Sequence, residues 1–168
     1  GSALLGMLSV LVVLAICEVF MLTIVDYPRS FPPVGLFEPD AVRTYRLSSN
    51  YSGTYLKGGK PFHVRTNAAG FRDPREFSAL DAKRPRFLAI GDSFVFGMPV
   101  SRDEAFVGVI ESTLAEEPGN KRWQVLNLGV PSYGTFQKAI VLETFATQLR
   151  PRAVLVGFYV GNDFEDNT

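Results

Sequence analysis

The stretch Ile90-Gly91-Asp92-Ser93-Phe94-Val95-Phe96-Gly97 decides the fold. Just before it, Arg86-Phe87-Leu88-Ala89-Ile90 is a short apolar run that reads as a buried strand. Gly91 and Gly97 bracket a turn. Just after it, Ser101-Arg102-Asp103-Glu104 has the Ser-x-x-Glu pattern of a capping box, which predicts a helix over Asp103 to Glu116. A serine past a strand end and before a helix stands where α/β sheets place their chemistry. Gly-Asp-Ser is also a common turn tripeptide in which the serine bonds the local backbone. The stretch alone leaves both readings open.

Working outward, two later strands end in the same way. Trp123 to Leu128 predicts a strand that runs through Gly129 into Val130-Pro131-Ser132-Tyr133-Gly134-Thr135. Ala153 to Val160 predicts another, ending in Gly161-Asn162-Asp163. Between the strands, Phe106, Val107, Ile110 and Leu114 share one helical face. Pro118-Gly119-Asn120 would end that helix. Thr135 is placed to cap a second helix, with Ala139, Ile140, Leu142, Phe145, Ala146 and Leu149 as its buried side and Pro151 as its stop. The order β-α-β-α-β implies a parallel sheet. All three strands then deliver small polar turns to one sheet edge.

With those residues in place, the chain from about residue 60 to 168 resembles the SGNH, or GDSL, hydrolase family. Gly91-Asp92-Ser93 is similar to the family's first block, Asn127 to Gly134 to its second, and Gly161-Asn162-Asp163 to its third. The resemblance implies an α/β fold, a flavodoxin-like three-layer sandwich with a parallel sheet, partial here over residues 86–168. It implies Ser93 as nucleophile in ester hydrolysis or acyl transfer, on acylated carbohydrate or lipid. Oxyanion donors would be the Ser93 N–H, the Asn162 side-chain amide and a second-block N–H. In the family pattern Asn-x-Gly-Val-Pro-x-Tyr the donor glycine falls at Ser132, so Ser132 and Gly134 both remain candidates. Asp92 and Asp163 read as loop organisers.

The base is the main departure. The family's Asp-x-x-His block follows the Asn block, and Thr168 stands six residues after Asn162. The only histidine is His63, upstream of Ser93, where it reads as a hairpin or surface residue. A serine without a base is a weak nucleophile, so these 168 residues are expected to be inactive by themselves. Two expectations follow: a C-terminal half carries the base, or the chain is a non-catalytic accessory subunit of a larger membrane complex.

Charge excludes another class. Seventeen Lys and Arg balance seventeen Asp and Glu, and no basic tract marks a nucleic-acid binder. A single cysteine, Cys17, excludes an internal disulfide. No Gly-x-x-x-x-Gly-Lys-Ser/Thr motif is present, and no metal or cofactor site is expected.

The segment before the globular part is of a different kind. Residues 3–25 are almost unbroken apolar sequence, long enough for a transmembrane helix. Glu18 lies within it, and an intramembrane carboxylate suits contact with other transmembrane subunits. Ile16 is too bulky for a lipoprotein cleavage site before Cys17. The N-terminal flank shows no Lys or Arg, so orientation rests on the resemblance, which implies an extracytoplasmic (periplasmic) globular part. Residues 26–40 hold Pro28, Pro32, Pro33 and Pro39 and predict an extended linker. Its Tyr27, Phe31, Leu36 and Phe37 predict contact with the membrane interface or the domain surface. Residues 41–85 predict a hairpin from Thr54-Tyr55-Leu56 and Phe62-His63-Val64-Arg65. They also hold Phe71, expected under the sheet, and Arg72, expected either to pair with a carboxylate or to stand on a plain surface turn.

Overall fold

A computed structural model describes residues 1–24, 33–57, 60–117 and 123–161. It contains one apolar N-terminal helix, two β-hairpins and a three-stranded parallel sheet with helices between its strands. The fold is mixed α/β.

Helix α1 (Ser2–Ile24) has 23 residues, about 34 Å at 1.5 Å per residue. It is long and apolar enough to cross a membrane. Two of its hydroxyls are satisfied within the helix: Ser9 Oγ donates to Gly6 O at 2.8 Å and Thr23 Oγ1 to Val19 O at 2.7 Å. Such back-bonding removes their need for water.

The first hairpin pairs β1 (Phe37–Asp40) with β2 (Thr44–Leu47). Asp40 closes its turn: Oδ1 accepts from Val42 N and Arg43 N, and Arg43 Nη2 donates to Oδ2 at 2.7 Å. This hairpin corrects the reading of the proline-rich tract. Residues 33–36 form a turn, with Leu36 N donating to Pro33 O at 3.1 Å and Gly35 at φ +83°, and only Phe37–Asp40 is extended, as a paired strand. Leu36 goes beyond contact with the domain and is fully buried in its core, with Phe37 packed against it. Residues 25–32 of the tract lie outside the described residues. The second hairpin, β3 (Ser52–Lys57) with β4 (Lys60–Arg65), sits where it was expected.

The parallel sheet has the order β6-β5-β7, with β5 (Arg86–Gly91) flanked by β6 (Gln124–Gly129) and β7 (Ala153–Val156). Helix α2 (Ser93–Phe96) is a single turn directly after β5. Helix α3 (Phe106–Glu116) leads to β6, and α4 (Thr135–Leu149) leads to β7. Alternation along a strand sends neighbours to opposite faces. Leu88, Ile90, Leu126 and Leu128 accordingly cluster with Val141 and Leu149 of α4 and with Leu36, Leu47, Phe62 and Phe71. Ala89 and Val125 cluster instead with Val107 of α3. One face of the sheet is thus covered by α3, and the other by α4 together with the hairpins.

Several predicted details shift. The Ser101–Glu104 box does form, with Ser101 Oγ and N both bonding Glu104 Oε2, but it closes a turn ahead of the helix. Helix α3 therefore begins at Phe106, not Asp103, and Phe106 is exposed while Val107 takes the buried position. The predicted end of that helix at residues 118–120 lies outside the described residues. On α4 the cap is Gly134, whose N–H donates to Gln137 Oε1 at 3.2 Å; Thr135 is the first helical residue. Ala139 is exposed. The buried line runs through Lys138, Val141 and Leu149, with Leu142 and Phe145 packed against the core. Leu142, Phe145 and Leu149 thus face the core as predicted, and the face also takes in Val141 and a lysine that counting apolar residues passes over. Pro151 follows Arg150, which ends α4 in the left-handed conformation.

Candidate active site

Gly91 and Gly129 end β5 and β6, and Gly157 follows β7. Helix α2 lies across these three glycines. A Cβ at Gly129 would meet the backbone of Val95 and Phe96, and one at Gly91 or Gly157 would meet the Val95 side chain. Their missing side chains let the turn settle onto the strand ends at backbone distance. Val130 N donates to Gly91 O at 2.9 Å, and Gly157 N to Ile90 O at 2.7 Å. Asn127, fully buried on β6, donates its Nδ2 to Val95 O and accepts Gly129 N at Oδ1, both at 2.9 Å. Its backbone N–H goes to Asp73 Oδ2 at 2.9 Å. Asn127 is therefore bonded to the turn that follows Ser93.

Ser93 is half-buried at the start of α2. The local backbone bond of an ordinary turn is made by its neighbour: Asp92 Oδ1 accepts from Phe94 N at 2.9 Å. Among the described residues no hydrogen bond uses Ser93 Oγ. Asp92 Oδ2 lies 4.0 Å from Lys138 Nζ, with only 5% and 3% of the two side chains exposed. The same ammonium lies 5.8 Å from the ring centre of Phe158. Lys138 was missed in the sequence. Its signal was there, since it precedes Val141, Leu142, Phe145 and Leu149 by three, four, seven and eleven residues.

The two second-block candidates differ in backbone. Ser132 has φ +62°, the left-handed region usually left to glycine. Its N–H has no protein acceptor among the described residues. Gly134 has φ −80°, and its N–H is taken by Gln137. The Ser132 loop is clamped from the first hairpin. Tyr45 Oη donates to Pro131 O at 2.9 Å, Tyr133 Oη donates to Tyr45 O at 2.7 Å, and the two rings lie 5.3 Å apart. Burial pushes the Tyr133 hydroxyl up to about 12, so it remains a donor at neutral pH.

Arg72 clamps the other side. It does not pair with a carboxylate, as had been expected. It donates to four carbonyls: Phe96 O at 3.1 Å, Gly97 O at 2.7 Å, His63 O at 3.0 Å and Val100 O at 2.9 Å. The guanidinium also stands 5.1 Å from the Phe96 ring centre. Burial, and then the charge of Arg102, lower its pKa to about 10, so it stays cationic at neutral pH. The carboxylate partnership falls to Arg75, which bonds Asp73 and Glu111. Phe71 is buried beneath the sheet as expected, against Phe77 and Phe145.

His63 is exposed on β4, its Nδ1 3.0 Å from Thr54 Oγ1 and its Nε2 3.4 Å from Ser52 Oγ. Both ring nitrogens thus face β3, where the sequence reading placed a hairpin histidine. Asn162 and Asp163 lie outside the described residues. Beside Ser93, the ring of Phe94 is 58% exposed and lies 5.0 Å from the half-exposed ring of Tyr159. Among the described residues no cluster of three His, Cys, Asp or Glu could hold a metal ion. No known protein-family model matches the chain, and no curated protein matches it.

Proposed function

We propose that this is a membrane-anchored serine ester hydrolase or acyltransferase of the SGNH type, its sheet and helices being part of a flavodoxin-like sandwich. One observation carries the reading. Ser93, its hydroxyl unclaimed, and the Ser132 loop, with Ser132 at φ +62°, follow neighbouring parallel strands at the same end of the sheet. Free geometry at Ser132 N–H, against the occupied Gly134 N–H, favours Ser132 as the second-block donor.

In this mechanism Ser93 Oγ attacks the acyl carbonyl carbon and its proton passes to a base. The negative oxygen that forms is held by the N–H groups of Ser93 and Ser132 and by the Asn162 amide. Collapse of the intermediate expels the alcohol, which takes up the proton; water or an acceptor hydroxyl then attacks the acyl carbon, and cleavage of its bond to Ser93 Oγ, with a proton returned to that oxygen, releases the product. In the SGNH type that base would be a histidine of an Asp-x-x-His pair. Lys138 neutralises the buried Asp92 carboxylate that caps the Ser93 turn. The exposed rings of Phe94 and Tyr159 support an acyl or lipid substrate with apolar surface. The α1 helix would anchor the protein, with the globular part outside the cytoplasm.

The test is hydrolysis of a short-chain aryl ester by the full-length protein. Ser93→Ala should abolish turnover, and Asn162→Ala should lower kcat by roughly 10²–10³. Equal low rates in wild type and Ser93→Ala would overturn the enzymatic reading.

A second reading, as an accessory subunit of a membrane complex, is favoured by β7. Its outer edge is unpaired among the described residues, and Val154 and Val156 are exposed on it. Open edges invite pairing with another chain. Glu18 on α1 fits the same picture through neighbouring transmembrane helices. Co-migration with a large complex after detergent extraction, without Ser93-dependent turnover, would favour this reading.

A further inference from the structure

The opposite end of the sheet has a different chemistry. There the start of β5, the start of β7 and the end of α4 enclose a cleft of about 500 Å³. Five of its eight lining residues are cationic: Lys83, Arg84, Arg86, Arg150 and Arg152. Among the described residues no carboxylate lines it. The chain as a whole carries equal numbers of basic and acidic residues, so this is a local excess.

The excess is sharper when most of the other described cations are followed to their partners; Arg65, outside the cleft, has no ion pair among the described residues. Arg43 pairs with Asp40, Arg46 with Glu38, Arg75 with Asp73 and Glu111, Arg102 with Asp103 and Glu111, and Lys138 with Asp92. Arg72 is spent on four carbonyls. In the cleft, by contrast, Lys83, Arg86, Arg150 and Arg152 have no ion pair among the described residues. The nearby Asp81 turns its Oδ1 to the Lys83 backbone N–H at 2.9 Å. The C-terminal carbonyls of α4 attract cations, and Arg86 Nη1 answers one of them, Leu149 O, at 2.7 Å. That accounts for one guanidinium. Arg86 Nε is buried with no acceptor in the protein, and a buried donor without a partner is costly.

We propose that this cleft binds a phosphate-bearing anion, either a free phosphate compound or a phospholipid headgroup. Planar guanidinium forks match phosphate oxygens two at a time, and the cleft volume suits a small ligand. The site lies at the far end of the strands from Ser93 and does not depend on the proposed esterase reading.

The test uses the full chain in neutral-detergent micelles, with two probes. Inorganic pyrophosphate is titrated by calorimetry. Phosphatidylglycerol, with phosphatidylcholine as control, is doped into the micelles and bound lipid is counted by native mass spectrometry. The variant is Lys83→Gln/Arg152→Gln, two exposed residues whose loss leaves the Arg86–Leu149 bond in place. Its binding should weaken by about tenfold or more, while Arg46→Gln, outside the cleft, should leave binding unchanged. Loss in the pyrophosphate arm identifies a free phosphate ligand, and loss confined to phosphatidylglycerol identifies a headgroup. Absence of saturable binding in both arms overturns the proposal. So does equal binding by wild type and the double variant, or equal loss in Arg46→Gln.

Discussion

The two ends of the parallel sheet handle positive charge in opposite ways. At the Ser93 end, Arg72 and Lys138 are buried and each is committed to specific acceptors or a carboxylate. At the other end, Lys83, Arg150 and Arg152 stand exposed around an open cleft. A charge buried with partners acts as a strut, because removing it strands the groups it satisfied. A charge left at a surface contributes little to folding and is available to a ligand. The same residue types therefore hold one end together and equip the other to bind.

The sharpest way to break this contrast is to truncate one arginine at each end. Arg72→Met should destabilise the protein by about 3–5 kcal/mol, since four carbonyls lose a charged donor. Arg152→Met should change stability by less than about 0.5 kcal/mol. Denaturant midpoints of the two variants in the same detergent measure both. Similar losses would erase the distinction between strut and binding residue.

Gly129→Ala probes the Ser93 end without touching charge. The added methyl must enter the backbone of Val95 and Phe96, and overpacking of this kind costs about 1–3 kcal/mol. Beyond the midpoint shift, labelling of Ser93 by a serine-reactive fluorophosphonate in the full-length protein should fall, because α2 is pushed off the strand ends. Unchanged stability and labelling would mean that the turn is not seated as closely as described.

Ser132→Gly should move in the other direction. It relieves a left-handed φ at a residue with a side chain, for a gain of about 0.5–1 kcal/mol. A loss of stability would show that the Ser132 side chain has a role of its own.

The smallest effect concerns acid. The Arg43 side-chain hydrogen bond, followed by its backbone N–H, holds the Asp40 carboxyl well below the usual carboxylate range. A carboxylate depressed on folding adds stability that is fully present above its unfolded pKa of about 3.9 and fades as pH falls below it. The β1–β2 hairpin should loosen in that window, read as faster amide exchange at Val42 and Arg43. Asp40→Asn should remove the pH dependence, while exchange in β5 stays level.

What the sequence disclosed, it disclosed through period and punctuation. β5, β6 and the start of β7 were legible because apolar runs end in glycine. The β3–β4 hairpin was legible from two β-prone segments around Lys57-Gly58-Gly59-Lys60-Pro61. Ser93 and Ser132 were legible as points on a pattern. Hidden from view were features that depend on partners distant in the chain. Leu36 looked like part of a tether because its neighbours are prolines, yet it packs under a sheet formed fifty residues later. Arg72 was expected to find a carboxylate, and nothing local announces that four carbonyls of two other segments converge on it. Lys138 broke an apolar stripe, and its match to Asp92 exists only once α4 lies against the sheet. The basic cleft was equally invisible, for Lys83 to Arg86 and Arg150 to Arg152 are brought side by side by the β5–β7 pairing.

The paired tyrosines of the Ser132 loop carry a kinetic consequence. Tyr45 and Tyr133 are 88 residues apart, and Tyr45 and Pro131 are 86 apart. Contacts this distant contribute little until a long loop has closed, and closing it costs chain entropy before any bond repays it. During synthesis the first hairpin leaves the ribosome well before the residues that it will hold. It waits with Tyr45 unmatched until the β5–β6 unit has folded and brought the Pro131–Tyr133 turn into reach. The loop that bears the candidate oxyanion donor is in this sense a late joint of the fold, closed by joining a hairpin to a turn made more than eighty residues after it.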